Sequence, residues 1–304
     1  MSQHPVLFGL SEYEWQMKIA VQMKGAIMKI VVIGGTGLIG SKLVTKLREH
    51  GHEAVPASPN SGVNTLTGEG LADVLKRASV VVDVSNSPSF DEEVAMNFFK
   101  TATRNLIQYE LAAGVRHHVV LSVVGTDRLA QTRPWDGPKT IRGYFRAKLA
   151  QEKLIAESSI PYSIVHATQF FEFVKNIADA SSDGTTVRLA PVLIQPMAAE
   201  DVAAAVGRVA VGTPVNGIVE VAGPQQFRLD EFIRQGLGFR SDPRTVVADA
   251  AAGYFGVEVD DCTLVPGKDA GLGETRFDEW LVQSAKSVGS STPSPVASVT
   301  YTSR

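Results

Sequence analysis

The sequence predicts an α/β fold: a doubly wound parallel sheet carrying a smaller C-terminal lobe. Short, continuous apolar runs alternate with helical patterns from residue 30 to residue 167, as expected of strands buried on both faces and joined by helical crossovers. Right-handed crossovers then put helices on both faces of the sheet. The first strand also passes directly into a glycine-rich turn that opens a helix, Gly34-Gly35-Thr36-Gly37-Leu38-Ile39-Gly40.

The elements follow in order. Ile30 to Ile33 are a β-branched, apolar strand. Behind the turn, Ile39, Leu43 and Leu47 recur at one-turn spacing, and Gly51 stands where a helix C-terminal glycine belongs. Residues 53–57 read as strand two and 70–78 as a short helix. Residues 79–84 (SVVVDV) are a buried strand, and 91–113 a helix ending at Gly114. Residues 118–124 (HVVLSVV) are another buried strand, 144–158 a helix with Leu149 and Leu154 in its buried stripe, and 162–167 a strand. Beyond residue 170 the rhythm loosens. Residues 187–189 and 192–194 read as short strands, 199–211 as a helix, 217–221 as a strand, and 229–235 and 274–282 as helices. This part is expected to form the smaller lobe, with some pieces returning to the sheet.

The domain plan is an N-terminal arm (1–27), one domain over 28–285 with its lobe mainly from about 170, and a Ser/Thr/Pro-rich disordered tail (286–304). The arm lacks the basic and apolar regions of a signal peptide, and Met28 is an alternative start. The chain has 304 residues and a net charge of -3 without a basic block, which argues against a nucleic-acid partner. No apolar run approaches the roughly 20 residues of a membrane span. The single cysteine, Cys262, excludes an internal disulfide and suits a reducing, cytoplasmic setting. His117 and His118 are strand neighbours that point to opposite faces, so no metal site is expected. The expected state is a monomer or homodimer acting on a small molecule.

The turn fits G-x-G-x-x-G through Gly35, Gly37 and Gly40, and G-x-x-G-x-x-G through Gly34, Gly37 and Gly40. Missing Cβ atoms let the backbone of residues 34–40, including Thr36, Leu38 and Ile39, turn tightly and approach a pyrophosphate. The free N–H groups and positive end of the following helix then meet the phosphates. A plain tight turn is the bland alternative. The placement between strand and helix favours a dinucleotide site.

In such sheets ligands lie beyond the carboxyl ends of the strands. After strand two comes Ser58-Pro59-Asn60-Ser61, with no carboxylate to hold a ribose 2′-OH; Glu53 is at the strand's other end. Hydroxyl and amide groups at Ser58, Asn60 and Ser61 can donate to a 2′-phosphate, so NADP is expected in preference to NAD, although the usual arginine is missing. The alternative is a solvated turn that reads neither cofactor. Asn86 and Ser87, after the third strand, either border the adenosine ribose or serve only as turn formers. Ser122 sits within or just past an apolar strand, where a core serine bonded to backbone is the plain reading. Tyr144-Phe-Arg-Ala-Lys148 is Y-x-x-x-K on a helix, which stacks phenol and ammonium on one face. A fixed cation there would lower the phenol pKa toward a useful range, and the lysine could hold the nicotinamide ribose. A surface Tyr/Lys pair is the alternative.

With GGTGLIG, LSVVGTD, YFRAK and IVHATQFFEF, the chain resembles the short-chain dehydrogenase/reductase superfamily, and most its atypical, NmrA-like NAD(P)H-binding branch, over residues 28–285. The resemblance implies that Gly34, Gly37 and Gly40 cradle the pyrophosphate. It implies that Ser122 orients a substrate carbonyl, Tyr144 is the acid/base, and Lys148 holds the ribose and tunes Tyr144. Thr168 and Gln169 would lie near the nicotinamide amide, with Phe170 beside it. The basic residue expected after strand two is replaced by Pro59 and Asn60. The expected function is NAD(P)H-dependent reduction of a carbonyl or other polarised double bond. Phe170, Phe171, Phe173, Tyr254 and Phe255 suggest an apolar or aromatic substrate. The alternatives are a non-catalytic NADP(H) sensor and a cofactor-recycling isomerase or epimerase.

Overall fold

A computed structural model describes residues 27–132 and 141–288; the expectations for the arm and tail fall almost entirely outside these. In chain order the first half runs β1 (Lys29–Ile33), α1 (Leu38–Glu49), β2 (Glu53–Ala57), α2 (Leu71–Val74), β3 (Val80–Asp83), α3 (Glu92–Ala113) and β4 (His117–Val123). Then come α4 (Thr126–Gln131), α5 (Arg142–Ala156), β5 (Tyr162–Ala167), α6 (Val174–Ala180), β6 (Thr186–Leu189) and β7 (Leu193–Ile194). The chain continues through α7 (Ala199–Val211), β8 (Gly217–Ala222), β9 (Phe227–Arg228), α8 (Leu229–Phe239), β10 (Thr245–Ala248), β11 (Gly271–Leu272) and α9 (Phe277–Val288).

Seven strands form one parallel sheet in the order β11-β8-β5-β4-β3-β1-β2. From β1 the chain steps to β2 on one side and then returns to β3 on the other. The crevice at this reversal, between the carboxyl ends of β1 and β3, is where doubly wound sheets take their ligands.

Alternate residues of each strand face opposite layers. Ile30, Val32, Val80, Val82, Val119 and Val165 pack on Leu43 and Leu47 of α1 and on Val202 and Val206 of α7. Val31, Ile33 and Val81 meet Leu71, Leu75 and Leu106 on the other face. There Val120 and Ile164 also meet Ile155 of α5. Beyond β5 the chain packs against α3, α4 and α5 in one further apolar cluster, where Phe99 and Leu129 join the fully buried Phe171, Phe232 and Phe277.

The predicted elements through residue 167 are present, with local differences. The helix expected over 70–78 is only the single turn α2, because Gly68, Gly70 and Arg77 take positive φ values. The buried side of α5 is Tyr144, Lys148, Gln151, Glu152 and Ile155 rather than the stripe through Leu149 and Leu154.

His117 and His118 do face opposite ways. The His117 ring shares a 2.9 Å hydrogen bond with Ser163, and burial, helped by its histidine neighbour, holds its pKa down at about 4. His118 lies 2.9 Å from the Glu110 carboxylate. Burial opposes its charge, but Glu110 prevails and its pKa is raised.

Candidate active site

The turn after β1 is built at backbone contact. Gly34 has φ +75°, and a Cβ there would lie 2.9 Å from Ser85 N, across the β1/β3 crevice. A Cβ on Gly35 would lie 2.6 Å from Pro56 Cα, and one on Gly40 only 2.1 Å from the Gly34 carbonyl oxygen. Gly37 caps α1 without any side-chain hydrogen bond, and no acidic residue stands in the first turn. The first N–H groups of this helix are thus left for an anion. Thr36, Gly37 and Leu38 are exposed at the mouth, while Ile39 and Gly40 are buried beneath it.

At the tip of β2, Ser58 is buried, whereas Asn60 and Ser61 are exposed. Ser61 Oγ accepts from Ser58 N and donates to Ser58 O, both at 2.9 Å, closing a short turn over Pro59–Ser61.

The β3 end is tied down by its own side chains. Asp83 Oδ1 accepts from Ser85 N (2.9 Å) and Ser85 Oγ (2.6 Å). Asn86 Oδ1 accepts from Ser87 N at 3.0 Å and from the Tyr144 phenol at 2.9 Å. Ser87 is buried and donates from Oγ to Ser89 O at 2.8 Å, so it acts as a turn former. Tyr144, near the start of α5, meets Phe90, Phe99 and Phe145 edge-on at centroid distances of 5.2, 5.8 and 5.5 Å. Burial in this cage raises its phenol pKa well above the ordinary value.

Lys148 shares the inward side of α5 with Tyr144, whose pKa shift comes from burial. Its ammonium donates to Leu121 O (2.8 Å) and Gln151 Oε1 (2.5 Å) and lies 4.7 Å from the centre of the Phe99 ring. Burial lowers its pKa to about 8 against the pull of Asp83 and Glu152. Those bonds tie it to the β4 backbone and to its helix neighbour Gln151. Ser122 is likewise a core group, buried in β4 and donating to Glu152, which also binds His166 at 3.0 Å. Among the described residues its hydroxyl and that of Tyr144 have no partner in common.

Beyond β5, Thr168 Oγ1 donates to Gln195 O at 2.6 Å. Gln169 is 5% exposed, yet among the described residues neither of its side-chain amide atoms has a hydrogen-bond partner. A buried amide left unpaired is costly, and a nicotinamide carboxamide offers the matching donor and acceptor. With the glycine cradle, the residues present fit a nicotinamide dinucleotide. Phe170 stacks on Phe173 at 5.2 Å, with Phe173 exposed. Phe171 and Tyr254 are buried in the lobe centre and are core rather than lining.

A family model described as NAD(P)H-binding matches residues 34–210, more than half of the chain. The chain belongs to this NAD(P)H-binding family. It is 23% identical over 159 residues to the photosystem II assembly factor Ycf39 of Synechocystis sp., a match covering 48% of this chain and 46% of that protein. The chain thus spans about half the length of that relative. Among solved structures it is similar to a short-chain dehydrogenase/reductase superfamily protein of Agrobacterium tumefaciens with bound NAD, at TM-score 0.62 and 16% identity over 86% of this chain and 97% of that one. It is also similar to an NADPH-dependent quinone oxidoreductase of Escherichia coli, at TM-score 0.55 and 17% identity over 84% and 99%. These likenesses place the chain's fold among NAD(P)-binding Rossmann proteins.

In this NAD(P)H-binding protein the glycine turn meets the Ser85–Ser87 loop, and Asn86 of that loop holds the Tyr144 phenol. Ser122 and Lys148 are buried. Gln151, Glu152 and His166 were not singled out in sequence. Gln151 and Glu152 stand three and four residues after Lys148, which marks them as its neighbours on a helix, but two polar residues there read equally well as a solvated face. Among the described residues no cluster of three or more His, Cys, Asp or Glu could hold a metal, and no helix is long and apolar enough to cross a membrane.

Proposed function

We propose that the protein is an NADPH-preferring reductase of a carbonyl or other polarised double bond in a small, apolar or aromatic substrate. The observation that carries this reading is the Tyr144 phenol, protonated and hydrogen-bonded to Asn86 at 2.9 Å beside the dinucleotide cradle. The bound cofactor would supply a hydride, with its electron pair, to the carbonyl carbon. Tyr144 would give its proton to the oxygen and recover one from solvent. A phenol whose pKa is raised by burial is a poor base for oxidising an alcohol at neutral pH. It can still protonate a nascent alkoxide, which is far more basic, so the site favours reduction. The exposed Phe173, stacked on Phe170, supports an apolar or aromatic substrate, and the absence of a carboxylate at the β2 tip supports NADPH.

Tyr144→Phe keeps the ring and removes the proton. Turnover is expected to fall by ~10²–10⁴-fold with little change in NADPH affinity, read by NADPH oxidation over a carbonyl panel beside fluorescence titration. Full activity in this variant would sink the assignment. A second reading, a dinucleotide sensor without turnover, is favoured by the sequestration of Lys148 and Ser122. It predicts tight NADPH binding with no oxidation on any substrate tested.

A further inference from the structure

With Ser122 bonded to Glu152 and Lys148 bonded to Gln151 and the β4 backbone, neither expected group is free to act as a second donor to an oxygen protonated by Tyr144. Asn86 stands in the right place. Its side-chain oxygen is identified by chemistry: the atom 3.0 Å from Ser87 N faces a group that can only donate, so it must be Oδ1. The phenol, 2.9 Å from the same atom, then donates to it as well. The amide nitrogen lies on the other side of the side-chain carbon, and no described residue accepts from it. Asn86 is exposed, so these two N–H groups are open to a ligand.

The setting is fixed rather than pliable. Asp83 clamps Ser85 by two bonds, Ser87 clamps Ser89, and three aromatic rings hold Tyr144. The loop borders the cradle directly, since a Cβ on Gly34 would touch Ser85.

We infer that Asn86 is a catalytic residue whose Nδ2 donates to the same substrate oxygen that receives the Tyr144 proton. The inference rests on the reductase reading and deepens it. The pair offers two neutral donors, which suits an uncharged aldehyde or ketone. Developing negative charge on that oxygen strengthens the Asn86 hydrogen bond, so its effect is larger on turnover than on binding.

The test uses the full chain with benzaldehyde as the probe carbonyl. Asn86→Asp retains an oxygen for Ser87 N and for the phenol but removes both N–H donors; Asn86→Ala removes them without adding charge. With NADP⁺ bound, so that no reduction occurs, both variants are expected to bind benzaldehyde about 3- to 10-fold more weakly, the effect of one lost neutral hydrogen bond. With NADPH, kcat should fall by ~10²–10³-fold, while NADP⁺ affinity stays within about threefold. Combining either variant with Tyr144→Phe should cost less than the product of the single effects, because both act on one oxygen.

Benzaldehyde binding and turnover unchanged in both variants would overturn the assignment, and so would failure of the native NADP⁺ complex to bind benzaldehyde. A loss confined to NADP⁺ affinity would also overturn it and make Asn86 a cofactor ligand. Benzaldehyde binding that depends on Asn86, without NADPH oxidation on any carbonyl, would remove the reductase reading but keep the donor pair.

Discussion

At position 40 one added methyl group would reach within 2.1 Å of the Gly34 carbonyl oxygen, whereas at position 37 the nearest atom would be 3.3 Å away. Gly40→Ala must therefore push α1 off the turn it grew from, at an overpacking cost of ~1–3 kcal/mol. It should lower both Tm and dinucleotide affinity, while Gly37→Ala should be clearly milder. Equal effects, by calorimetry and NADPH titration, would contradict the close approach. These glycines were legible because the demand for a missing Cβ is written in residue type. Tyr144 and Lys148 were half legible. Spacing put both on one side of α5, but no spacing could reveal that Lys148 bonds Gln151 and the Leu121 carbonyl. The Ser122 bond was hidden for a related reason: its partner Glu152 is 30 residues away in sequence. Ser122→Ala should therefore leave NADPH-dependent turnover within about threefold of native. It should cost ~1–3 kcal/mol of stability, since the buried Glu152 loses a donor. A large loss of kcat with unchanged Tm would restore the catalytic role.

Among the elements, β1, β3, β4 and β5 were readable because each is dominated by apolar residues that cross a buried sheet. The two-residue strands β9 and β11 are too short to carry a pattern of their own, whereas β7 lies within the strand read at 192–194. The turn after β2 matters most for cofactor choice. It offers hydroxyl and amide groups but neither a carboxylate nor an arginine, so preference for NADP(H) should be modest, ~1–3 kcal/mol if one or two charge-assisted bonds form. Ser58→Asp should shift preference toward NAD(H) by repelling the 2′-phosphate. Parallel titrations with both cofactors test this, and tighter NAD(H) binding by the native chain would refute it.

On the scale of the whole molecule, sheet and lobe depend on each other. The family match stops at residue 210, yet β8 lies inside the sheet between β5 and β11, and Phe277 completes the lobe centre. A chain ending at Val211 should expose the β5 edge and strip Phe232 and Phe277 from that centre, and so be insoluble or lack cooperative unfolding. A chain beginning at Met28 should instead fold and bind cofactor normally, because β1 finds both its neighbours, β2 and β3, downstream. The adjacent histidines of β4 have one more consequence. His117, held down at about 4, is neutral in the native state where the unfolded chain would be protonated, so its contribution to stability is lost as pH falls from about 6.5 toward 4. His118, raised by Glu110, contributes fully below its unfolded value, progressively less as pH climbs toward its native one, and nothing above that. Two neighbours on one strand thus slope the same free energy in opposite directions, and their joint profile is a ridge cresting near pH 6.5. Denaturant midpoints followed across pH should trace that ridge, with its acid flank flattened in His117→Phe and its alkaline flank left standing.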